Sequence, residues 1–84
     1  MKPVTMYTTE HCSLCTSAKT LLERRGIPFT EVNLAKDPDG RTQLAQRTGM
    51  ITFPQILINE QPLGGFRELL AADKQGLLAD LLAA

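Results

Sequence analysis

Polar and apolar residues alternate from Lys2 to Thr8 (KPVTMYT), with Val4, Met6 and Thr8 on one side and Thr5 and Tyr7 on the other; this predicts a short strand with a buried face. The period then changes. From Ser13 to Arg25, Leu14, Ala18, Leu21 and Leu22 recur at helical spacing, Lys19, Glu23 and Arg24 fall off that stripe, and Gly26 stands where a left-handed residue would end the helix. Pro28 forbids continuation, and Phe29 to Leu34 (FTEVNL) alternates again as a second strand. Asp37-Pro38 marks the next helix start: aspartate caps free amides, and proline at the first helical position loses no needed donor. This helix should run to about Thr48, with Leu44 and Ala45 as a thin apolar face and Gly49 as its stop. Gln55 to Asn59 (QILIN) reads as a buried strand, Asn59-Glu60-Gln61 as a hairpin loop, and Pro62 to Gly64 as a brief strand that its proline confines to a sheet edge. From Phe66 to Ala84 a helix is expected, broken or kinked near Gly76, with Leu69, Leu70, Leu77, Leu78, Leu81 and Leu82 in one stripe over a sheet face.

The order is strand, helix, strand, helix, hairpin, helix. A parallel strand–helix–strand crossover is right-handed in nearly all proteins, so the first helix should cover one face of a sheet that the hairpin extends. The class is α/β. At 84 residues the chain has room for one domain, residues 1–84, around a single core.

Charge removes several functions. Nine basic and nine acidic side chains cancel, so no general attraction to nucleic acid or to an anionic membrane surface is built in. No apolar run approaches the roughly 18 residues of a membrane span, and MKPVTMYTT lacks a signal-peptide core, so a cytoplasmic location is expected. Thiols there are kept reduced, and a cysteine pair points to redox chemistry or metal binding before structural crosslinking.

The two cysteines and the one histidine stand together in Glu10-His11-Cys12-Ser13-Leu14-Cys15. Cys12 falls where the first strand hands over to the first helix. Free amides and the positive end of the helix dipole there favour the thiolate, the species that attacks disulfides. Cys15, three residues on, lies on the same face and can attack a mixed disulfide formed on Cys12. A zinc site would need about four ligands, and His11, next door to Cys12, is badly placed to share an ion with it. A structural bridge closing so short a loop would restrict the unfolded chain little. Redox chemistry is therefore the favoured reading, with no metal expected in the monomer. His11 is either a charge partner of Cys12 or a bystander. Lys19 is expected to be solvated.

Thr52-Phe53-Pro54 precedes the buried strand, and by base rate the bond before Pro54 would be trans. Gly64-Gly65 is a turn or a place where a ligand meets backbone amides.

Taken together, Tyr7-Thr8 and Cys12-x-x-Cys15, Thr52-Phe53-Pro54-Gln55-Ile56, and Gly64-Gly65-Phe66 with Glu68-Leu69 resemble glutaredoxins over nearly the whole chain. The resemblance implies a thioredoxin fold: a four-stranded mixed sheet of order 2-1-3-4 with helices on both faces. It implies Cys12 as nucleophile, Cys15 as resolving thiol and a cis peptide before Pro54. Glutathione would be the reductant, bound by Leu14, Arg47, Thr52, Phe53, Pro54, Gly65, Phe66 and Glu68. In that scheme the Phe53 backbone pairs with the cysteine segment of glutathione as an added strand, and Gly65, Phe66 and Glu68 receive its γ-glutamyl end. The partners implied are glutathione and disulfide-bonded or glutathionylated proteins, with a monomer expected.

Departures from the family pattern matter. Ser13-Leu14 replaces the common Pro-Tyr between the cysteines, and Thr9 stands where a lysine is frequent, which leaves Arg47 as the substitute cation for the glycine carboxylate. Arg67-Glu68 replaces a pair of acids, and Phe66-Arg67 resembles glutaredoxin-like redoxins that serve ribonucleotide reductase and take electrons from thioredoxin reductase. Two alternatives therefore stay open: such a redoxin, and a dimer holding an iron–sulfur cluster.

Overall fold

Val4, Met6 and Thr8 are buried while Thr5 and Tyr7 are half-buried, and this alternation makes Val4–Thr8 the first strand, β1. The structure, a computed structural model, describes residues 1–84. β2 (Thr30–Asn33) runs parallel to β1, and β3 (Gln55–Ile58) lies antiparallel on its other side. β4 (Gln61–Gly64) pairs antiparallel with β3, completing the order β2-β1-β3-β4 of the thioredoxin fold that the resemblance implied. Four helices follow in sequence: α1 (Ser13–Arg24), α2 (Pro38–Thr48), α3 (Phe66–Lys74) and α4 (Leu78–Leu82).

One sheet face carries the main core. Val4, Met6, Ile56 and Ile58 from the strands meet Ala18 and Leu22 of α1, Leu69 and Ala72 of α3, and Leu78 and Leu82 of α4. Each fully buried Leu, Ile or Met contributes about 1.5–3 kcal/mol. Gln55 and Leu57 point to the opposite face and are also buried, on the side where Leu44 and Thr48 of α2 lie. Helices thus cover both faces, and β3, buried on both, is apolar from Ile56 to Ile58 after a buried Gln55.

The helix ends follow the local signals. Gly26 is left-handed (φ +67°), its amide bonds to the Glu23 carbonyl and that of Ile27 to the Leu22 carbonyl, so α1 ends in a Schellman motif. Gly76 (φ +70°) repeats this after α3, with Gly76 bonded to Asp73 and Leu77 to Ala72. Asp37 caps α2 through a 2.9 Å bond from the Gly40 amide, and Gly49 (φ +75°) ends it.

Two details differ from the sequence-based expectation. The hairpin turn is two residues, Asn59 and Glu60, both at positive φ, so Gln61 belongs to β4 and pairs with Ile58. The terminal segment breaks at the left-handed Gly76 into two helices, as expected, but its leucines are divided. Leu69, Leu78 and Leu82 are buried, but Leu77 and Leu81 face solvent, so the six leucines do not form one stripe. Pro62 lies in β4 at the sheet edge, as expected. No helix is long and apolar enough to cross a membrane.

Candidate active site

Cys12 is the N-cap of α1: its backbone is extended (φ −112°, ψ 96°), its carbonyl accepts the first helical bond from Thr16, and its Sγ accepts from the Cys15 amide at 3.1 Å. Sulfur takes the place that a serine or aspartate oxygen fills at an ordinary N-cap, and it faces the free amides of the first turn. The preceding residue, His11, is in the left-handed region (φ 53°), which delivers the chain from β1 into this cap. Cys12 and Cys15 are joined as a disulfide, with their Cα atoms 5.2 Å apart. Cys12 is half-buried and Cys15 only 3% exposed, so a partner from solution meets Cys12 first. This division of access is what a nucleophile and a resolving thiol require.

The loop after α2 forms the second wall. The Phe53–Pro54 peptide is cis, as the resemblance implied, with Pro54 buried and Phe53 half-buried. Gln55, the first residue of β3, is 1% exposed and holds that loop from inside. Its Nε2 donates to the carbonyls of Met50 and Thr52, each at 3.0 Å, and its Oε1 accepts from the Thr48 hydroxyl at 2.9 Å. Sequence reasoning passed over Gln55 as a site residue. The available signal was a glutamine heading an otherwise apolar buried strand, since a buried amide must find partners.

The third wall is the start of α3. Gly65 is its N-cap, and its amide donates to Glu68 Oε1 at 2.7 Å, one arm of a capping box. Gly64 (φ +137°) leaves no room for a side chain: a Cβ there would lie 2.6 Å from Glu68 Cγ. A Cβ on Gly65 would lie 3.4 Å from the Pro54 carbonyl oxygen and 3.5 Å from Glu68 Oε1, which places Pro54, Gly65 and Glu68 side by side. Phe66 is half-buried beside the main core.

Of the remaining expected residues, Leu14 is 48% exposed in the first turn of α1 and Thr52 is exposed with its carbonyl held by Gln55. Arg47 stands apart. Its guanidinium is held by the Tyr7 phenol and the Glu60 carboxylate (2.9 Å to Oε2), both of which raise its pKa. Glu60 is in the hairpin beyond β3, and Tyr7 lies opposite Gln55 at the start of β3, so the guanidinium is tied to protein partners placed toward both ends of that strand. Lys19, expected to be solvated, instead pairs with Glu31 at 3.2 Å. The Thr8 hydroxyl also donates to Glu31 (2.8 Å), and these contacts, that of Thr8 foremost, hold the Glu31 carboxyl below its ordinary range.

Comparison with known proteins gives a consistent result. A family model described as Glutaredoxin matches residues 4–63. A protein named Glutaredoxin from Pseudomonas aeruginosa is 43% identical over 84 residues, covering all of both chains. Glutaredoxin 3 of Escherichia coli is 39% identical over 82 residues, 98% of this chain and 99% of the other. Among solved structures, glutaredoxin from Brucella melitensis superposes with a TM-score of 0.86 at 39% identity, over 98% of this chain and 89% of that one. The buckwheat glutaredoxin–glutathione complex gives 0.87 at 25% identity, over 96% and 76%.

Proposed function

From the premise that this chain belongs to the glutaredoxin family and is a thiol-disulfide oxidoreductase, we propose that Cys12 and Cys15 reduce protein disulfides and glutathione mixed disulfides with electrons from glutathione. The carrying observation is the disulfide between an accessible N-cap sulfur and a buried one.

The steps follow from access. In the reduced protein the Cys12 thiolate attacks one sulfur of the substrate disulfide; the substrate S–S bond breaks, a new bond forms to Cys12, and the leaving thiolate takes a proton from water. Cys15, once deprotonated, attacks Cys12 Sγ, releases the second substrate thiol and leaves the Cys12–Cys15 bond. One glutathione thiolate then opens that bond by attacking Cys12, freeing Cys15. A second attacks the glutathione sulfur on Cys12, yielding glutathione disulfide and the reduced protein. Two electrons enter and two leave. With a glutathionylated substrate, Cys12 takes the glutathione directly and Cys15 is not needed.

Three walls of the site suit a γ-glutamyl peptide. The Thr52–Phe53 backbone offers an edge for the glutathione cysteine segment, and Leu14 gives apolar contact in place of the family's tyrosine. The Gly65 and Phe66 amides at the positive end of α3 suit the γ-glutamyl carboxylate, and Glu68 suits its ammonium. The complex named for the buckwheat relative supports glutathione as the ligand. Arg47, the expected cation for the glycine carboxylate, would have to leave Tyr7 and Glu60 to reach it. The protein acts as a cytoplasmic monomer on disulfide-bonded or glutathionylated proteins. Phe66-Arg67 keeps ribonucleotide reductase among the candidate partners.

Turnover of a small mixed disulfide, measured with glutathione and glutathione reductase and then with thioredoxin reductase alone, tests the electron source. Activity in the first system supports the proposal, and activity confined to the second overturns it.

A further inference from the structure

A groove of about 500 Å³ runs between α1 and α3, sharing only Phe66 with the three walls of the redox site. Leu21, Phe66 and Leu70 form its apolar floor, and Thr16, Thr20 and Arg24 stand along its α1 rim. It opens at Thr16, one helical turn past Cys12, and beside Phe66 at the start of α3. It closes at the far end against the two-pronged ion pair of Arg25 with Asp73, Nε–Oδ1 2.7 Å and Nη2–Oδ2 2.9 Å. That pair ties α1 to α3 and consumes the only carboxylate in the lining. Arg24 takes part in none of the chain's three ion pairs, Lys19–Glu31, Arg25–Asp73 and Arg47–Glu60. A groove in a chain of zero net charge therefore carries one uncompensated positive charge, over an apolar floor that continues from the redox site.

We infer that this groove docks the segment of a protein substrate that flanks its reacting cysteine, and that it selects an extended segment with an apolar residue followed by an acidic one. The inference rests on disulfide reduction at Cys12 as proposed above. Arg24 lies twelve positions after Cys12, a rise of about 18 Å along a helix at 1.5 Å per residue. An extended segment covers that in roughly five or six residues at about 3.3 Å each. The apolar side chain of the segment lies on Leu21, Phe66 and Leu70, the threonine hydroxyls face its backbone, and its carboxylate meets Arg24. Glutathione, a tripeptide, is too short to reach Arg24 from Cys12. The groove thus discriminates among protein disulfides and leaves small ones untouched.

The test uses the full chain and three substrates: bis(2-hydroxyethyl) disulfide with glutathione, a peptide disulfide with a leucine and then glutamates five and six residues from the cysteine on both sides, and the same peptide with glutamines. Arg24→Glu should lower kcat/KM for the acidic peptide by about three- to tenfold, as expected when an exposed ion pair is reversed. It should leave the glutamine peptide and the small disulfide unchanged, Arg24→Lys should retain preference for the acidic peptide, and the preference should fade by about 0.5 M salt. An equal fall on all three substrates, or no fall on the acidic peptide, overturns the docking assignment. Absence of turnover of the small disulfide by the unaltered protein overturns the reductase reading itself, a separate result.

Discussion

Glu68 places its carboxylate on the amide of Gly65 at 2.7 Å, so an acidic side chain of the protein already occupies a donor that a bound γ-glutamyl carboxylate would use. Ligand binding must displace that arm of the capping box or share the donor with it. Removing the carboxylate in Glu68→Ala should cost about 0.5–1 kcal/mol of stability through the lost cap. It should also raise KM for a glutathionylated peptide several-fold with little change in kcat, because the ammonium partner is lost as well. Glu68→Gln, which keeps the reach without the charge, should recover most of the stability and little of the affinity. Steady-state kinetics beside thermal melts check this, and an unchanged KM in both variants would remove Glu68 from the ligand site.

Cys12→Ser should abolish turnover of every disulfide. Cys15→Ser should retain turnover of glutathionylated peptides and lose that of protein disulfides, since only the latter need a resolving thiol. Mass spectrometry of Cys15→Ser after substrate addition should trap a single mixed disulfide on Cys12. Full activity of Cys15→Ser on a protein disulfide would contradict the division of labour that the burial of Cys15 supports.

Gln55→Leu replaces the buried amide with a side chain of similar bulk and leaves the Met50 and Thr52 carbonyls and the Thr48 hydroxyl without that partner. The Thr48 hydroxyl keeps the Leu44 carbonyl and the Met50 amide, so the loss falls on the loop carbonyls; a polar group left without its partner costs about 1–3 kcal/mol when buried, and the loop should loosen and stability fall. If the Thr52–Phe53 backbone is the edge that pairs with glutathione, as proposed, KM for glutathionylated substrates should rise while reactivity of the reduced Cys12 thiol toward a small alkylating reagent stays unaltered. A fall in stability with no change in KM would assign Gln55 to the fold alone.

These cases divide what the sequence discloses from what it conceals. Asp37-Pro38, Gly26 and Gly49 are local signals, readable because capping joins residues three to five apart, and the helices end where they said. The two cysteines are equally local, three residues apart at a helix start. Glu60 at positive φ carries no such signal, since only its place in a two-residue turn demands it. Lys19 with Glu31, Arg25 with Asp73 and Arg47 with Glu60 are 12, 48 and 13 residues apart. They meet only once the sheet order is set, which is why Lys19 reads as solvated in the bare sequence and the partners of Arg25 and Arg47 are not legible there. Gln55 is concealed for the same reason, its partners lying in the loop that tertiary packing folds over it.

The two adjacent glycines should respond differently to alanine. Gly64→Ala combines a positive φ with a Cβ 2.6 Å from Glu68 Cγ and should lose about 1–3 kcal/mol of stability through backbone strain. Gly65→Ala meets only ordinary contact distances and should fold almost normally. Its methyl would sit between Pro54 and Glu68, however, and should weaken glutathione binding, measured by calorimetry on the reduced protein. Equal stability of the two variants would refute the reading of position 64.

Acid stability should depend on Glu31 and Asp73. Thr8 and then Lys19 lower the folded-state pKa of Glu31, and Arg25 lowers that of Asp73. A depressed carboxylate pKa stabilises the folded state fully above the unfolded value, about 4.3 for glutamate, and that contribution is lost as pH falls through the folded value. Denaturation midpoints should therefore fall as pH drops below about 4.3, with a shallower slope in Glu31→Gln. An identical slope in that variant would show that Glu31 does not contribute.

Pro62 gives the last consequence. It lies in β4, one of the two edge strands, and contributes no amide hydrogen there. A neighbouring molecule approaching that rim to extend the ladder would find a gap in the row of donors, and filament-like growth across molecules stalls at the first contact. Of the two edge strands, β2 and β4, only β4 carries such an interruption, so strand addition by a second molecule is disfavoured at the β4 rim.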